Sequence, residues 1–388
     1  MSESTQQATL PSADAARHRL VRDLLRTRDN ARTAPLAETV KANLEHLWKH
    51  GGRKGNRDMT PSLQPDSITV RPGFLVLPTD DQHGPVLPKL IQSRGLQLKL
   101  ALLLLFDAQC RYRPGQSVRN VRRVTPHPDE DYLSWRQLVL TAASSHRQPS
   151  NLRARQITEA LRKLEEYDLL RIPRQPGGKR RIYSFGPDGK TTWQLQTEES
   201  NPDEHPDYLV PNPTPGTFRI PCEFFTNLWI FAVTDTEIAA YLTLTFLRWR
   251  FPAQHFARGV YLLDTHREDY FRLTRATWRA TDFLHRFRLI DRAPSPGRDF
   301  RTGKVSNYNQ RWARREVMPS LFKINTETLG RPALNTISQI LTEPTDEDSM
   351  RRLYGQQFID QQRNLILHRD ADSPFATPSV ADVLGARI

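Results

Sequence analysis

The sequence predicts an α+β protein that is mainly α with small β-hairpins and that contains two similar domains in tandem. Apolar residues recur at helical spacing along much of the 388 residues, and strand-like segments bounded by Pro and Gly follow two of the predicted helices. The segments that join helix to hairpin repeat at a distance of 120 positions. A chain of this length, with 37% hydrophobic residues, is sufficient for two or three domains.

The repeat is clearest where the third helix of each domain ends. "LRKLEEYDLLRI" begins at Leu161, and "LHRFRLIDR" begins at Leu284. Asp168 and Arg288 occupy the same place in the two copies, at the turn between helix and strand, where a left-handed backbone is expected. A shift of 120 positions places Leu161, Leu164, Tyr167, Leu169 and Leu170 on Thr281, Leu284, Phe287, Leu289 and Ile290.

The first elements form an N-terminal helical extension, residues 1–60, and a first domain, residues 68–185. The extension contains helices near residues 13–28 and at "LAETVKANLEHLWKH". It does not start with a charged segment followed by an apolar one, so no signal peptide is expected. The domain is predicted to run from the strand "SITVRPGFLVLP" through three helices, at residues 92–109, "YLSWRQLVLTAAS" and "SNLRARQITEALRKLEEYDLL", to the hairpin "RIPRQPGGKRRIYSF".

A Pro-rich acidic linker, residues 197–216, separates this domain from the second, residues 217–325. The second domain opens with the strand "TFRIPCEFF". Its first helix, "TDTEIAAYLTLTFLRWRF", has Thr234 and Glu237 at the spacing of a capping box. A short helix at "LDTHREDYF", a third helix at "TRATWRATDFLHRF" and a second hairpin follow.

The last part of the chain, residues 326–388, is predicted to be a C-terminal helical extension and tail. Its helical patterns lie at "ALNTISQIL" and "SMRRLYGQQFIDQQRNLIL", with the acidic loop "TEPTDED" between them. The final residues, "DADSPFATPSVADVLGARI", are expected to be a loose or docking tail.

The positive charge is concentrated in two segments. The chain has a net charge of +13, to which residues 149–184 contribute +5 and residues 272–315 contribute +9, while the rest sums to −1. Each basic segment contains one copy of the repeated helix end and its hairpin. A solvated basic surface is one interpretation, but two focused basic segments on an otherwise neutral chain favour a polyanionic partner.

The order strand, helix, helix, helix, hairpin, with the helix end "L-x-x-L-x-x-[aromatic]-x-L-[L/I]", resembles the winged helix-turn-helix domain. Two copies in tandem, covering about residues 68–185 and 217–325, resemble plasmid replication initiators and bacterial winged-helix transcription regulators. The resemblance implies sequence-specific binding of double-stranded DNA. It also implies a cytoplasmic, nucleoid-associated protein, for which a second copy of the chain is a further candidate partner. The third helix would enter the major groove, and the hairpin, or wing, would contact phosphates or the minor groove.

The resemblance implies DNA-binding residues on each third helix and wing. Arg can read guanine, Gln can read adenine, and basic wing residues neutralise phosphates. Trp278 has two interpretations, packing against a partner helix or contact with thymine methyl groups, and packing is the favoured one. The more basic second copy is expected to be the main contact. The candidates are Arg153, Arg155, Gln156, Arg162, Arg174, Lys179, Arg180 and Arg181 in the first copy, and Arg275, Trp278, Arg279, Arg298, Arg301, Lys304, Arg311, Arg314 and Arg315 in the second.

Other function classes have weaker support in the sequence. The acidic segments "HPDEDY" and "PTDEDS" lie in Pro-flanked loops, and "GGRKGN" lacks the spacing of a phosphate-binding loop, so no catalytic residue, metal or cofactor is predicted. Cys110 and Cys222 have no partner pattern, which is typical of a reducing compartment. No apolar run is long enough for a membrane span, and no membrane partner is expected. A scaffold protein that binds other proteins through its winged helices and a DNA-processing enzyme are the alternatives.

Overall fold

The computed structural model describes residues 12–27, 35–54, 62–76, 84–93, 95–128, 131–141, 149–172, 193–199, 206–255, 259–293, 298, 304–305, 307, 309–310 and 319–342. These residues form a mainly helical protein with small antiparallel strand pairs, which confirms the predicted fold class at this level. Within these ranges, none of the helices combines the length and the apolar character needed to cross a membrane.

The first half of the chain follows the predicted order of elements, with one additional short helix, Val86–Gln92. Its extension and first domain comprise α1 (Ser12–Arg26), α2 (Leu36–His50), β1 (Ser67–Val70), α3 (Val86–Gln92), α4 (Gln97–Arg111), α5 (Trp135–Leu138), α6 (Pro149–Glu166), β2 (Leu170–Arg171) and β3 (Gln194–Leu195). A 3-10 turn at Pro72–Phe74 follows β1.

The second half repeats the order strand, helices, hairpin. Its elements are β4 (Phe218–Pro221), α7 (Glu223–Thr226), α8 (Trp229–Ala232), α9 (Asp235–Arg250), α10 (Pro252–His255), α11 (Asp264–Asp269), α12 (Arg275–Trp278), α13 (Thr281–Arg286), β5 (Ile290–Ala293), β6 (Leu321–Ile324) and α14 (Ala333–Thr342). A 3-10 turn at Glu327–Gly330 precedes α14. The predicted helix at "SMRRLYGQQFIDQQRNLIL" lies outside the described residues.

The two halves share one strand pair and one core. β1 pairs antiparallel with β4, from Ser67 opposite Pro221 to Val70 opposite Phe218. A single cluster of buried apolar side chains includes residues of both halves. The other two pairs, β2 with β3 and β5 with β6, start where the two hairpins were predicted to start, but their second strands lie farther along the chain than predicted. The two predicted domains therefore pack against each other through a common centre.

Part of the predicted linker packs against the first half. Tyr208 is fully buried, its amide donates to the carbonyl of Leu195 at 2.8 Å, and its carbonyl accepts from the amide of Val118 at 3.2 Å. The Gly115 amide donates to the carbonyl of Val210 at 2.8 Å. Residues 206–210 thus lie between the first hairpin and the segment after α4, because Tyr208 and Val210 supply apolar surface that a free linker would expose to water.

Three predicted helices differ from the structure. The helix expected over residues 92–109 begins instead at Gln97, after Gly95, whose φ of 144° suits glycine, and α3 ends where that helix was expected to begin. The helix expected at "YLSWRQLVLTAAS" is reduced to α5, after which Val139 is extended. The third helix of the second domain is divided into α12 and α13. There the Thr281 hydroxyl donates to the carbonyl of Trp278 at 2.9 Å, and the backbone bonds shorten to a 3-10 pattern.

A buried ionic cluster fixes the long segment between α4 and α5. Arg122 is 1% exposed and donates to the Asp107 carboxylate at 2.7 and 2.9 Å, to the Leu133 carbonyl at 2.9 Å and to the Gly51 carbonyl at 2.6 Å. Arg111 also pairs with Asp107, at 2.7 Å. Burial alone would raise the pKa of Asp107, but the two guanidinium groups outweigh it and hold that pKa below its usual value. We refer to Asp107, Arg111 and Arg122 as the Asp107 cluster.

The N-terminal extension is attached to the second half by a buried arginine on α1. Arg17 pairs with the carboxylate of Glu237, donates to the carbonyl of Ala232 at 2.9 Å and lies 5.3 Å from the ring centre of Phe283. Glu237 also closes the predicted capping box, since its amide donates to the Thr234 hydroxyl at 3.3 Å and its carboxylate accepts from the Thr234 amide at 2.8 Å. The capping prediction is confirmed.

The two helix ends that define the repeat have the same backbone geometry. Asp168 has φ 58° and Arg288 has φ 61°, so both adopt the left-handed conformation that the alignment predicts. The next residue donates to a carbonyl five positions back in each copy: Leu169 to Leu164 at 2.9 Å and Leu289 to Leu284 at 3.0 Å. The two turns therefore share one backbone geometry at a shift of 120 positions.

Glycine at position 288 is expected to be more stable than alanine there. A left-handed backbone is unfavourable for a residue with a Cβ, by about 1–2 kcal/mol, and Gly removes this cost. Arg288→Gly should therefore be more stable than Arg288→Ala, by roughly 1 kcal/mol in the free energy of unfolding measured by urea denaturation. The two variants lose the same side chain beyond Cβ, so equal stabilities would contradict the left-handed turn.

Candidate nucleic-acid interface

Two arginines at the start of the third helix of the second half are free to bind a ligand. The Thr274 hydroxyl accepts the amide of Thr277 at 3.1 Å and so caps α12. Arg275 and Arg279 are both exposed, and a spacing of four residues places them on one face of the helical segment. Their guanidinium groups make no hydrogen bond or ion pair with any residue that the structure describes.

Trp278, between these arginines, packs against the protein. Its ring is half-buried against the core and lies edge-on to Phe322 of β6, with 6.2 Å between ring centres. The favoured interpretation, packing, is the one that the structure shows, and Trp278 is better described as a support for α12 under the hairpin than as a DNA contact. The packing partner is therefore a strand of the second hairpin and not a partner helix.

The third helix of the first half presents fewer free cations. Arg155 is exposed, and among the described residues it has no ion pair. Arg162 is 3.5 Å from the carboxylate of Glu159, and Lys163 is 2.6 Å from that of Glu166. The acidic residues of α6 thus neutralise part of its basic face.

Two polar residues of α6 are buried. Arg153, a predicted DNA contact, is only 2% exposed, and Thr158 is 3% exposed with its hydroxyl donating to the carbonyl of Ala154 at 2.9 Å. Both face the core side of α6 because the helix is covered on more than one side. Arg153 is therefore placed as a structural residue. Gln156 is half-buried, between the two faces.

Only the base of each predicted wing is described. In the second hairpin the pairing extends beyond β5 and β6 to an antiparallel bridge between Arg298 and Val305, and Lys304 is exposed beside that bridge. These positions agree with a long basic hairpin. The remaining wing candidates, Arg174, Lys179, Arg180, Arg181, Arg301, Arg311, Arg314 and Arg315, lie outside the described residues.

Further charged residues surround the base of the second hairpin. Exposed Lys323 lies opposite Asp291 across β5 and β6. Burial raises the pKa of Asp291, against the opposing influence of His285, Arg288 and Lys323. Lys323 was not among the sequence candidates because it follows the basic segment that ends at Arg315. Extending the count along the returning strand of the hairpin would have included it.

Two buried histidines of the second half, His285 and His255, are kept uncharged at neutral pH. Burial, and then the charge of Arg292, lowers the pKa of His285, whose Nδ1 lies 3.2 Å from the carbonyl of Ile290. Burial also lowers the pKa of His255 to about 4. His255 is 4% exposed and lies edge-on to Tyr261, with 5.0 Å between ring centres. A proton on either ring would therefore disturb the packing below the hairpin.

Acid is expected to destabilise the protein through His255. The ordinary pKa of 6.5 applies to the unfolded chain, so between pH 6.5 and about 4 the unfolded state binds a proton that the folded state does not. The contribution is complete above pH 6.5 and decreases as the pH falls towards 4, by up to roughly 3 kcal/mol. His255→Gln should show a flatter dependence of unfolding free energy on pH than the wild type.

Nowhere in the described residues do three or more His, Cys, Asp or Glu residues form a potential metal site. The described part of "GGRKGN" includes Gly51 and Gly52, with φ 61° and 69°, and their carbonyls accept from Arg122. The acidic segment "PTDEDS" lies outside the described residues.

Comparisons of the chain with protein-family models, with curated proteins and with solved structures found no match. The assignment of a function therefore depends on the residues and the geometry described above.

Proposed function

We propose that the protein binds double-stranded DNA in a sequence-specific manner through two winged-helix units, with the second unit as the main contact. The observation that supports this most directly is the pair Arg275 and Arg279. Both are exposed, on one face, at the start of the helix that precedes a basic hairpin, and neither is engaged by a described residue. A guanidinium group is well suited to the two acceptors of guanine and to phosphate.

The position of the hairpin supports the same proposal. The left-handed turn at Arg288 joins the end of α13 to the start of β5, so the helix and the hairpin are directly connected. A protein that reads DNA in this way inserts the start of the helix into the major groove and places basic side chains of the hairpin on the adjacent phosphates. Arg298 and Lys304 are on the arms of this hairpin.

The first unit is proposed as a helper, either as a weaker DNA contact or as a surface for a second copy of the chain. The acidic residues Glu159 and Glu166 on α6 reduce its attraction for phosphate, since they pair with Arg162 and Lys163. Its exposed Arg155 and half-buried Gln156 are the side chains that could reach bases.

The proposed biological role is that of a bacterial or mobile-element transcription regulator or a plasmid replication initiator, acting on the nucleoid in the cytoplasm. The two roles differ in the DNA that is bound. Selection of bound fragments from the source genome separates them. Iterated repeats in the recovered DNA indicate an initiator, and a single inverted repeat near a promoter indicates a regulator.

Salt provides the test of DNA binding itself. Neutralised phosphates release counterions, so the affinity for a duplex should fall by about 100-fold or more between 50 and 200 mM salt if roughly four or more phosphates are contacted. Fluorescence anisotropy with a labelled duplex measures the slope. An affinity that changes less than about threefold over this range would contradict the proposal and favour the protein scaffold. Metal-dependent cleavage of the duplex by the pure protein would favour the enzyme.

A further inference from the structure

An open cleft of about 560 Å³ lies among α1, α4, α6 and the start of α9. Its apolar wall consists of Leu20, Leu24, Leu96, Leu140, Leu152 and Phe231. Clefts of roughly 300–1,000 Å³ with mainly apolar walls and a few polar groups are typical of small-molecule sites. The cleft therefore has the size and the lining of such a site.

The polar groups of this cleft are unsatisfied. Four side chains in its lining have a buried polar atom without a hydrogen-bond partner among the described residues: Gln97 Oε1, Thr141 Oγ1, Gln156 Oε1 and Asp235 Oδ1. Gln97 is 6% exposed. Leaving such an atom unpaired costs about 1–3 kcal/mol, so four of them along one cleft need an explanation. The last torsion of Gln and Asp is broad, so a small rotation would turn each oxygen towards the cleft.

The character of these atoms indicates the chemistry of the occupant. Three are acceptors, and the fourth belongs to a hydroxyl group that can also accept. The ammonium of Lys99, which also lines the cleft, is already engaged, because it donates to the carbonyl of Val233 at 2.8 Å and to that of Phe231 at 3.3 Å. Two cations line the cleft: Lys99 is occupied, and Arg155 is exposed to solvent. The buried part of the lining therefore offers free acceptors, which suits a ligand that brings donors.

We propose that this cleft binds a small molecule with an apolar or aromatic frame and two or more N–H or O–H donors, such as an amine, amidine or amide. A carboxylate on the same frame would meet the free acceptors of Gln97, Gln156 and Asp235 and would be rejected. Burial raises the pKa of Asp235, although the charge of Lys99 acts in the opposite direction. A raised pKa is expected for a buried carboxyl group that accepts no hydrogen bond from a donor.

Occupation of this cleft would also act on DNA binding, and this consequence rests on the proposed function. Arg155 and Gln156, two candidate base-reading residues, lie in the lining of the cleft. A ligand that binds Gln156 would prevent this side chain from contacting DNA. The direct binding experiment contains no DNA, so its result is independent of whether the protein binds DNA.

Matched pairs of probes test the site on the full-length chain. Benzamidine and tryptamine supply donors on aromatic frames, adenosine is an uncharged donor of greater size, and benzoate and indole-3-acetate are similar frames with a carboxylate. Saturation-transfer NMR and thermal shift should show saturable binding of donor probes, with dissociation constants of about 0.1–10 mM for molecules of this size. The carboxylates should bind at least about tenfold more weakly, because they lack the donors that the acceptors require.

Variants locate the binding. Asp235→Asn and Gln156→Met should each weaken the donor probes by about tenfold, as expected for one lost hydrogen bond to a charged or buried group. Leu20→Trp should block them by filling the cleft. Asp264→Asn is the control, since Asp264 is the first residue of α11 as Asp235 is of α9 but does not line the cleft.

Circular dichroism and thermal melting identify any variant that fails to fold. The folded variants then show whether the donor probes bind in the cleft. Failure of all three donor probes to bind saturably would overturn the proposal. So would carboxylate binding as tight as donor binding, or donor binding that is unchanged in the folded variants of the cleft.

Discussion

Asp107→Asn is expected to lower the free energy of unfolding by about 3–5 kcal/mol. The change keeps the shape of the side chain and removes its charge, which leaves the guanidinium groups of Arg122 and Arg111 buried without a counter-charge. Arg122 is 1% exposed and cannot reach water without moving the segment that it fixes. The loss arises from the uncompensated charge and not from the net value of the ion pair, which is small once the desolvation of both partners is included.

Urea denaturation of the full chain at neutral pH measures this loss, and two further variants define its cause. Exposed Asp131→Asn, in the segment that the Asp107 cluster fixes, should change the unfolding free energy by less than about 0.5 kcal/mol. The double variant Asp107→Asn with Arg122→Met should recover part of the loss, because the buried cation is gone. The role assigned to the cluster would be contradicted if Asp107→Asn were as stable as wild type. It would also be contradicted if the loss in the double variant equalled the sum of the losses from Asp107→Asn and from Arg122→Met alone.

The Asp107 cluster also shows which part of the fold could not be predicted from the sequence. Its partners are separated by 15 positions for Arg122 and Asp107 and by 71 for Arg122 and Gly51. Nothing local distinguishes Arg122 from its neighbours Arg119 and Arg123 in "SVRNVRRVT". Only the burial of the excursion against α4 selects it. The same holds for Arg17, whose partners on the second half lie more than 200 positions away.

Local sequence signals, in contrast, were sufficient to predict the structure wherever backbone geometry depends on adjacent residues. The capping box at Thr234 and Glu237, the bounds of α2 and α9, and the left-handed turns at Asp168 and Arg288 all follow from spacings within one or two turns of helix. Tyr208 was assigned to a linker because the Pro-rich composition around it is typical of extended chain. The extended conformation is present, but its pairing with Leu195 and Val118 depends on tertiary contacts.

For the candidate interface, periodicity separates helix faces only approximately. It placed Arg275 and Arg279 on the exposed face of α12, whereas Arg153, expected to be a DNA contact on α6, is buried. The difference has a physical cause. The apolar stripe of an amphipathic helix identifies the side that faces the core, but a helix covered on two sides also buries residues at the edges of its polar face.

Arg275→Ala and Arg279→Ala are expected to produce the largest losses of specific DNA affinity. A bidentate contact between arginine and guanine contributes about 1–3 kcal/mol of discrimination, so the double variant should weaken binding to the selected duplex by roughly 100-fold or more. Binding to a random duplex should weaken much less, because it depends on phosphate contacts alone. Anisotropy titrations of both duplexes at one fixed salt concentration measure the two losses.

The comparison with other arginines makes this prediction specific to α12. Arg113→Ala removes an exposed arginine outside the two third helices, and Arg162→Ala removes one that is already close to Glu159, at 3.5 Å. Both should leave the affinity within about threefold of wild type, since a partly neutralised or distant cation releases few counterions. Equal losses on the selected and the random duplex would show that Arg275 and Arg279 contact phosphate only. A larger loss from Arg155→Ala than from either of them would transfer the main contact to α6, and the free guanidinium groups of the second unit would then require another partner.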